Sequence, residues 1–271
     1  MALPLIVEAE TLKEHLNERD LLIIDLCPLQ HYLEGHVPGA IHVDTGKLIK
    51  GEKPAPGLLP DASALSALFS SIGLTENTHV VCYDNEGGPW AGRFLWTLQS
   101  IGHTRFSFLN GGIHAWQQAG FSQEKTENTP VKSHYTACIN NSVTMTLEQI
   151  LDAISHNTSE LLVWDARSPE EYSGSKVLSA KGGHIPGAIH LEWTDLIDKN
   201  NAYKIRDNAK EIMLEKGIVP EKTIVTHCQT HRRSGLTWLV ATALGYPSVK
   251  AYPGSWSEWG NHPDTPVESG K

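Results

Sequence analysis

Short apolar runs rich in β-branched residues alternate along the chain with stretches of helical period. The clearest runs are Leu21 to Leu26, Val80 to Tyr83, Leu161 to Trp164 and Ile224 to Thr226. Such runs are typical of buried parallel strands. Helical patterns over Ala62 to Ile72 and Leu147 to Ile154 follow Asp61 and Thr146, which are suitable N-caps. The alternation predicts an α/β fold in which helices cover both faces of a mainly parallel sheet.

This pattern occurs twice. The block His36-Val-Pro-Gly-Ala-Ile-His42 after the first strand recurs as His184-Ile-Pro-Gly-Ala-Ile-His190 after the third. Further on, Asn110-Gly-Gly-Ile-His-Ala-Trp116 aligns with Pro253-Gly-Ser-Trp-Ser-Glu-Trp259. We therefore predict two tandem modules, residues 1–124 and 143–271, joined by a polar linker over residues 125–142 that contains Pro130.

Composition narrows the class of protein. The chain has 271 residues and a net charge of -9, which disfavours nucleic-acid binding. No apolar run approaches the ~20 residues that span a bilayer. The first residues, from Met1 to Glu8, lack a basic n-region, so we expect no secretory signal and a cytoplasmic location. Because the two modules could cover each other's interface by packing face to face, we expect a monomer.

Cysteine usage points to one reactive position. The four cysteines, Cys27, Cys82, Cys138 and Cys228, are far apart and form no CxxC pair, so we expect neither a zinc site nor a disulfide framework. Cys228 ends a predicted strand and opens the loop Cys228-Gln-Thr-His-Arg-Arg-Ser234, which leads into an apolar helix. Backbone N–H groups of a tight loop, the helix N-terminus, Arg232 and Arg233 all favour thiolate over thiol. Cys228 is therefore predicted to be a nucleophile, and the other three cysteines are given no role.

The first module serves as an internal control. Aligning Val80-Val-Cys-Tyr-Asp84 with Ile224-Val-Thr-His-Cys228 puts Asp84 at the cysteine position. An aspartate cannot do thiol chemistry. The loop that follows, Asn85 to Trp90, contains an acid and no base, so we expect it to hold an anion poorly. The first module is interpreted as a structural or substrate-shaping partner.

Taken together, these residues resemble a tandem-domain rhodanese of the bacterial type, over essentially the whole chain. The resemblance rests on the strand-end Asp25 and Asp165, on Asp84 in place of cysteine, on the loop from Cys228 to Arg233 and on the closing block at Pro253. It implies two rhodanese-like modules, the first inactive and the second a sulfurtransferase. It also implies a reaction in two steps, through a persulfide on Cys228, without a metal or organic cofactor.

The resemblance implies small-molecule substrates: an anionic sulfur donor such as thiosulfate, and cyanide or a thiol as the sulfur acceptor. A protein that accepts the sulfur is an alternative. By its position at the end of the loop, Arg233 is the first candidate for holding the anionic end of the donor, and Arg232 is the second. Arg167 matches an arginine of the active rhodanese module, and a salt bridge with Asp165 is an equally good interpretation. The remaining predicted binding residues belong to the cysteine loop, and they are Gln229, Thr230, His231 and Ser234.

Three other functions stay open. The loop matches neither that of mitochondrial thiosulfate enzymes nor that of mercaptopyruvate enzymes. It therefore does not determine the donor, and 3-mercaptopyruvate stays an alternative to thiosulfate. A persulfide carrier for cofactor biosynthesis would use the same Cys228. A cysteine phosphatase or arsenate reductase is disfavoured, because its Cys-x5-Arg loop would need arginine where this chain has Ser234.

Overall fold

The computed structural model describes residues 3–156 and 158–270. Residues 1 and 2, on which the expectation of no signal sequence partly rests, lie outside the described residues. Among the described helices, none is long and apolar enough to cross a bilayer.

Strands and helices alternate in both halves of the chain. The first half contains β1 (Ile6–Val7), α1 (Ala9–His15), β2 (Leu21–Asp25), α2 (Leu29–Glu34), β3 (Ile41–His42), α3 (Ala62–Ser71), β4 (His79–Tyr83), α4 (Pro89–Ser100), β5 (Phe106–Leu109) and α5 (Gly112–Gln118). The second half contains α6 (Leu147–Ser155), β6 (Leu161–Asp165), α7 (Pro169–Ser173), β7 (Ile189–His190), β8 (Ile197–Asp198), β9 (Lys204–Ile205), α8 (Ala209–Glu215), β10 (Thr223–His227), α9 (Arg233–Ala243), β11 (Val249–Ala251) and α10 (Ser255–Trp259). The predicted N-caps are confirmed, since the Asp61 carboxylate accepts from the Ala64 N–H and Thr146 forms a capping box with Gln149.

The chain forms two compact units that do not follow the order of the sequence strictly. The first unit comprises the residues up to Leu48, Pro60–Asn140 and Ile197–Ile205. The second comprises Ile49–Leu59, Asn141–Leu196 and the residues from Arg206 onward. Each half of the sequence thus supplies one short segment to the unit built mainly from the other half.

Each unit is built on its own parallel sheet. The strand order is β1-β5-β4-β2-β3 in the first unit and β11-β10-β6-β7 in the second. The central pairs correspond, because Asp25 lies opposite Tyr83 on β2 and β4, and Asp165 lies opposite His227 on β6 and β10. All these strands point the same way, so the residues after them meet at one edge of the sheet, where ligands bind in folds of this class. The predicted α/β architecture is confirmed.

The repeated His-x-Pro-Gly-Ala block has a structural role in both units. In the first unit the His36 ring stacks on Tyr32 at 3.8 Å between centroids, and the Tyr32 hydroxyl donates to the Ala40 carbonyl over 2.9 Å. In the second unit His184 stacks on Tyr172 at 3.7 Å, and the Tyr172 hydroxyl donates to Ala188 over 2.7 Å. The block therefore fixes the connection between two strands, which explains its presence in a module without the cysteine.

The segment predicted as a linker makes specific contacts with the first unit. The Ser133 N–H donates to the Ser70 carbonyl and the Ala137 N–H to the Ser66 hydroxyl, each over 2.9 Å. The Asn128 N–H donates to the Tyr32 hydroxyl over 3.0 Å. These bonds place the segment along α3 and the Tyr32 ring.

We predict that Tyr32→Phe destabilises the protein more than Tyr172→Phe. Each change removes one hydroxyl donor, at a cost of about 1 kcal/mol, but only Tyr32→Phe also leaves the Asn128 N–H without its acceptor. Urea unfolding of both variants and of the wild type measures the difference in the free energy of unfolding. An equal or larger loss in Tyr172→Phe would contradict the assigned contacts.

Candidate active site

Cys228 lies at the carboxyl end of the second sheet. It follows the last residue of β10, and α9 begins at Arg233, so the chain turns through Cys228 and four further residues. The side chain of Cys228 is buried, with 1% of its surface exposed. The predicted position of the cysteine, between a buried strand and a helix N-terminus, is therefore confirmed.

The closing block after β11 holds the outer side of this loop. The Trp256 N–H donates to the Cys228 carbonyl over 2.9 Å, and the Ser257 N–H donates to the Gln229 carbonyl over 3.0 Å. The Cys228 N–H donates to the Ser255 hydroxyl over 3.4 Å. Because these carbonyls face α10, the N–H groups that follow them in the loop can face the sulfur atom. Ser255 has φ of 55°, a left-handed conformation that is uncommon for serine.

Several donors converge on the Cys228 sulfur. The N–H groups of Thr230 and Ser234, the Ser234 hydroxyl and the Arg233 guanidinium all hydrogen-bond to it. Burial alone would raise the pKa of the Cys228 thiol, but Arg233 and these hydrogen bonds lower the pKa below its ordinary value. The site therefore stabilises a thiolate.

His231 supports the Ser234 hydroxyl from the side away from the sulfur. The His231 Nδ1 atom lies 2.8 Å from Ser234 Oγ, and the ring is fully buried. His231 reaches this position with φ of 55°.

Arg233 is held by a carboxylate that the sequence analysis did not single out. Its Nη1 and Nη2 atoms bind the two oxygens of Glu171 over 2.6 and 2.8 Å. Glu171 is also the capping-box residue of α7, opposite Ser168. The Ser168-Pro-Glu-Glu171 pattern predicts the capping box, but it does not predict that the Glu171 carboxylate also binds Arg233. The bidentate pair fixes the guanidinium beside the thiolate.

Arg167 lies in a buried cluster behind the loop. Its guanidinium binds the Asp165 carboxylate over 2.6 to 3.0 Å, donates to the Gly183 carbonyl over 2.7 Å and stacks on Trp256 at 4.3 Å. Burial would raise the pKa of Asp165, but His227 and Arg167 hold that pKa at about 2. These contacts are those of a residue that supports the loop.

The remaining predicted residues surround the cysteine. Gln229 is partly buried, and its Nε2 atom donates to Ser179 Oγ over 3.2 Å. Thr230 and Arg232 are also partly buried, and Arg232 is the residue directly before the first turn of α9. Ser179 belongs to the extra residues that the second module carries between Tyr172 and His184. That insertion therefore reaches the cysteine loop.

The first unit shows what replaces the thiolate. Both oxygens of Asp84 accept backbone hydrogen bonds, from Glu86 and Gly88 and from Trp90 and Ala91, over 2.8 to 3.0 Å. The expectation that this loop holds an anion poorly stays a prediction for a bound ligand, but the loop does bind a carboxylate of its own. It needs no basic side chain, because its own N–H groups bind the Asp84 carboxylate.

Other positions of the first site have also changed. Cys27 stands where the second module has Arg167, and Tyr83 stands where it has His227. Cys27 and Cys82 are buried, and burial raises the pKa of both thiols. Cys138 is exposed. Within residues 3–156 and 158–270, no cluster of three or more His, Cys, Asp or Glu side chains is arranged to hold a metal ion.

We predict that Arg233→Gln raises the pKa of Cys228 toward the ordinary thiol value of about 8.5, because a cation next to the sulfur is lost. The thiolate fraction at neutral pH should fall accordingly. The rate of alkylation by iodoacetamide as a function of pH measures this pKa. Arg232→Gln is the matched control and should shift the midpoint less; equal shifts would show that Arg233 has no special place at the sulfur.

Comparison with known proteins agrees with this geometry. The rhodanese-like domain family matches residues 8–119 and 146–262. Two curated relatives, the thiosulfate sulfurtransferases of Pseudomonas aeruginosa and Azotobacter vinelandii, are each 47% identical to this chain; the alignments cover 98% of it and 97% and 98% of the relatives. A solved structure of an EanB variant in complex with ergothioneine has the same fold, with a TM-score of 0.88 and 24% identity over 98% of this chain and 70% of that one. With a site built around Cys228 and two matching domains, this chain belongs to the rhodanese family.

Proposed function

We propose that this protein is a thiosulfate sulfurtransferase that moves sulfane sulfur to cyanide or a thiol through a persulfide on Cys228. The observation that carries the proposal is the environment of Cys228, a buried cysteine whose pKa is lowered by Arg233 and by hydrogen bonds from Ser234 and Thr230. A thiolate is the nucleophilic form of cysteine. The named activity of the two relatives at 47% identity supports thiosulfate as the donor.

The chemistry balances without an external oxidant or reductant. In the first step the Cys228 thiolate attacks the outer sulfur of thiosulfate, a new S–S bond forms, and sulfite leaves with the electron pair of the broken bond. In the second step cyanide or a thiolate attacks the terminal sulfur of the persulfide, and the Cys228 thiolate leaves. The N–H groups that stabilise the thiolate also stabilise the terminal sulfur, because it carries the negative charge of the persulfide.

Each loop residue has a place in this scheme. Arg233, fixed by Glu171, stabilises negative charge at the sulfur. Arg232, partly exposed at the start of α9, attracts the sulfonate end of the donor together with the helix N-terminus. Gln229, Thr230, His231 and Ser234 shape the cavity around the sulfur. Arg167 acts through Asp165 and Trp256, which it positions.

We also propose an acceptor, an oligomeric state and a cellular location for the enzyme. The acceptor is a small thiol or cyanide, and the protein acts as a monomer that requires neither a cofactor nor nucleic acid. A cytoplasmic location fits the cysteines, all of which are free in the part of the chain that the structure describes. A phosphatase reaction is disfavoured, because the arginine that faces the sulfur is Arg233, one residue too early for a Cys-x5-Arg loop.

We predict that Cys228→Ala abolishes thiocyanate formation from thiosulfate and cyanide, because the nucleophile is lost. Cys138→Ala is the matched control and should keep wild-type turnover, since Cys138 is exposed and carries no proposed role. Mass spectrometry of the wild type after thiosulfate alone should show one added sulfur on Cys228. Parallel reactions with 3-mercaptopyruvate and with a phosphate ester identify the donor class. Undiminished turnover in Cys228→Ala, or phosphatase activity alone, would disprove the proposal.

We also predict that Arg232→Gln raises the KM for thiosulfate several-fold and changes kcat less, because the lost charge acts in donor binding. Steady-state kinetics with thiosulfate as the varied substrate measures both constants. Arg232→Lys keeps the charge and should recover most of the affinity. A KM that is the same in Arg232→Gln and the wild type would remove Arg232 from the donor site.

A further inference from the structure

A segment from the first half of the sequence lies against the cysteine loop. Residues Ile49–Leu59 belong to the second unit, although they lie between β3 and α3 of the first module in sequence. The segment is closed by backbone hydrogen bonds, from the Lys50 N–H to the Leu58 carbonyl over 2.8 Å and from the Gly51 N–H to the Pro56 carbonyl over 2.9 Å. It is therefore a compact loop.

Gly57 is the point of closest approach. A Cβ atom on Gly57 would lie 2.4 Å from the Thr230 carbonyl oxygen and 2.5 Å from the Pro253 carbonyl oxygen. Both neighbours are backbone atoms, which cannot swing aside as a side chain can. Gly57 is buried, and its φ lies outside the left-handed region that favours glycine. Glycine is needed at this position for the contact and not for the backbone conformation.

The two carbonyls belong to the two chain segments that hold Cys228. Thr230 donates its N–H to the Cys228 sulfur, and its carbonyl is part of the peptide that leads into His231, which has φ of 55°. Pro253 comes two residues before Ser255, whose hydroxyl accepts from the Cys228 N–H. A displacement of either carbonyl would move a group that contacts Cys228.

We propose that Gly57 is a positioning residue for the reaction of Cys228, through which the segment Ile49–Leu59 of the inactive module keeps the N–H groups of the cysteine loop directed at the sulfur. This inference rests on the proposed function for its consequence in turnover. Its structural part, the position of the Thr230 N–H group at the sulfur, can be tested through the pKa of Cys228, without measuring turnover. The first module would thus contribute to catalysis without a reactive group of its own.

The test compares Gly57→Ala with Gly46→Ala in the full chain. Gly46 also has an ordinary φ, and a Cβ there would meet only the side chain of Asp44, at 3.3 Å, so this variant controls for the glycine-to-alanine change itself. In Gly57→Ala we expect the pH midpoint of iodoacetamide alkylation of Cys228 to rise, and kcat for thiocyanate formation to fall about tenfold or more. Gly46→Ala should match the wild type in both measurements.

Folding is checked separately, by circular dichroism and thermal unfolding of each variant. If Gly57→Ala does not fold, Pro56→Gly loosens the same segment without adding an atom, and the alkylation midpoint should rise there too. A folded Gly57→Ala protein with the alkylation midpoint and turnover of the wild type would overturn the proposal. If Gly57→Ala does not fold, an unchanged alkylation midpoint in Pro56→Gly would overturn it. If the wild type transfers no sulfur from any donor, the proposed function fails, whereas the alkylation midpoint still decides the role of Gly57.

Discussion

The site depends on keeping a negative charge on a sulfur atom that is almost fully removed from water. Burial opposes ionisation of Cys228, and the loop overcomes this with Arg233, the Ser234 hydroxyl and two N–H groups. The arrangement is effective because these donors are fixed before a substrate arrives, so little reorganisation is needed during the reaction. Much of the surrounding structure serves to hold the donors in place.

The donors are held from two directions. On the outer side, α10 binds the carbonyls of Cys228 and Gln229, which turns the following N–H groups inward. On the inner side, Arg233 is fixed by Glu171 and Ser234 by His231. The left-handed conformation of His231 is a cost of the tight turn, and that of Ser255 is a cost of the bend into α10; hydrogen bonds of the two side chains offset these costs. In the first unit the residue equivalent to Ser255 is Gly112, with φ of 58°. This position therefore has a left-handed conformation in both units.

Local patterns in the sequence predicted what local physics determines. The strands around Asp165 and His227, the N-caps of α3 and α6 and the position of Cys228 between β10 and α9 all follow from neighbours close in sequence. Glu171 and Arg233 are 62 residues apart in the sequence, so no local pattern predicts their ion pair. The side chains of the Asp84 loop do not reveal that its backbone N–H groups bind the carboxylate. The exchange of Ile49–Leu59 and Ile197–Ile205 between the units depends on contacts that the repeat itself does not encode.

The two units also show how one fold accommodates an aspartate or a cysteine at the same position. In the first unit the Asp84 carboxylate takes the place of the thiolate and accepts from four N–H groups, of which those of Gly88 and Ala91 are buried and would otherwise lack an acceptor. An uncharged apolar residue would leave those donors unsatisfied at a cost of about 1–3 kcal/mol each. Asp84, at the position that corresponds to Cys228, therefore provides no thiol nucleophile but keeps a negative charge for the N–H groups of the loop to bind. Gly57, at a backbone contact with the cysteine loop, comes from the same half of the sequence as Asp84, so that half also supplies part of the surroundings of Cys228.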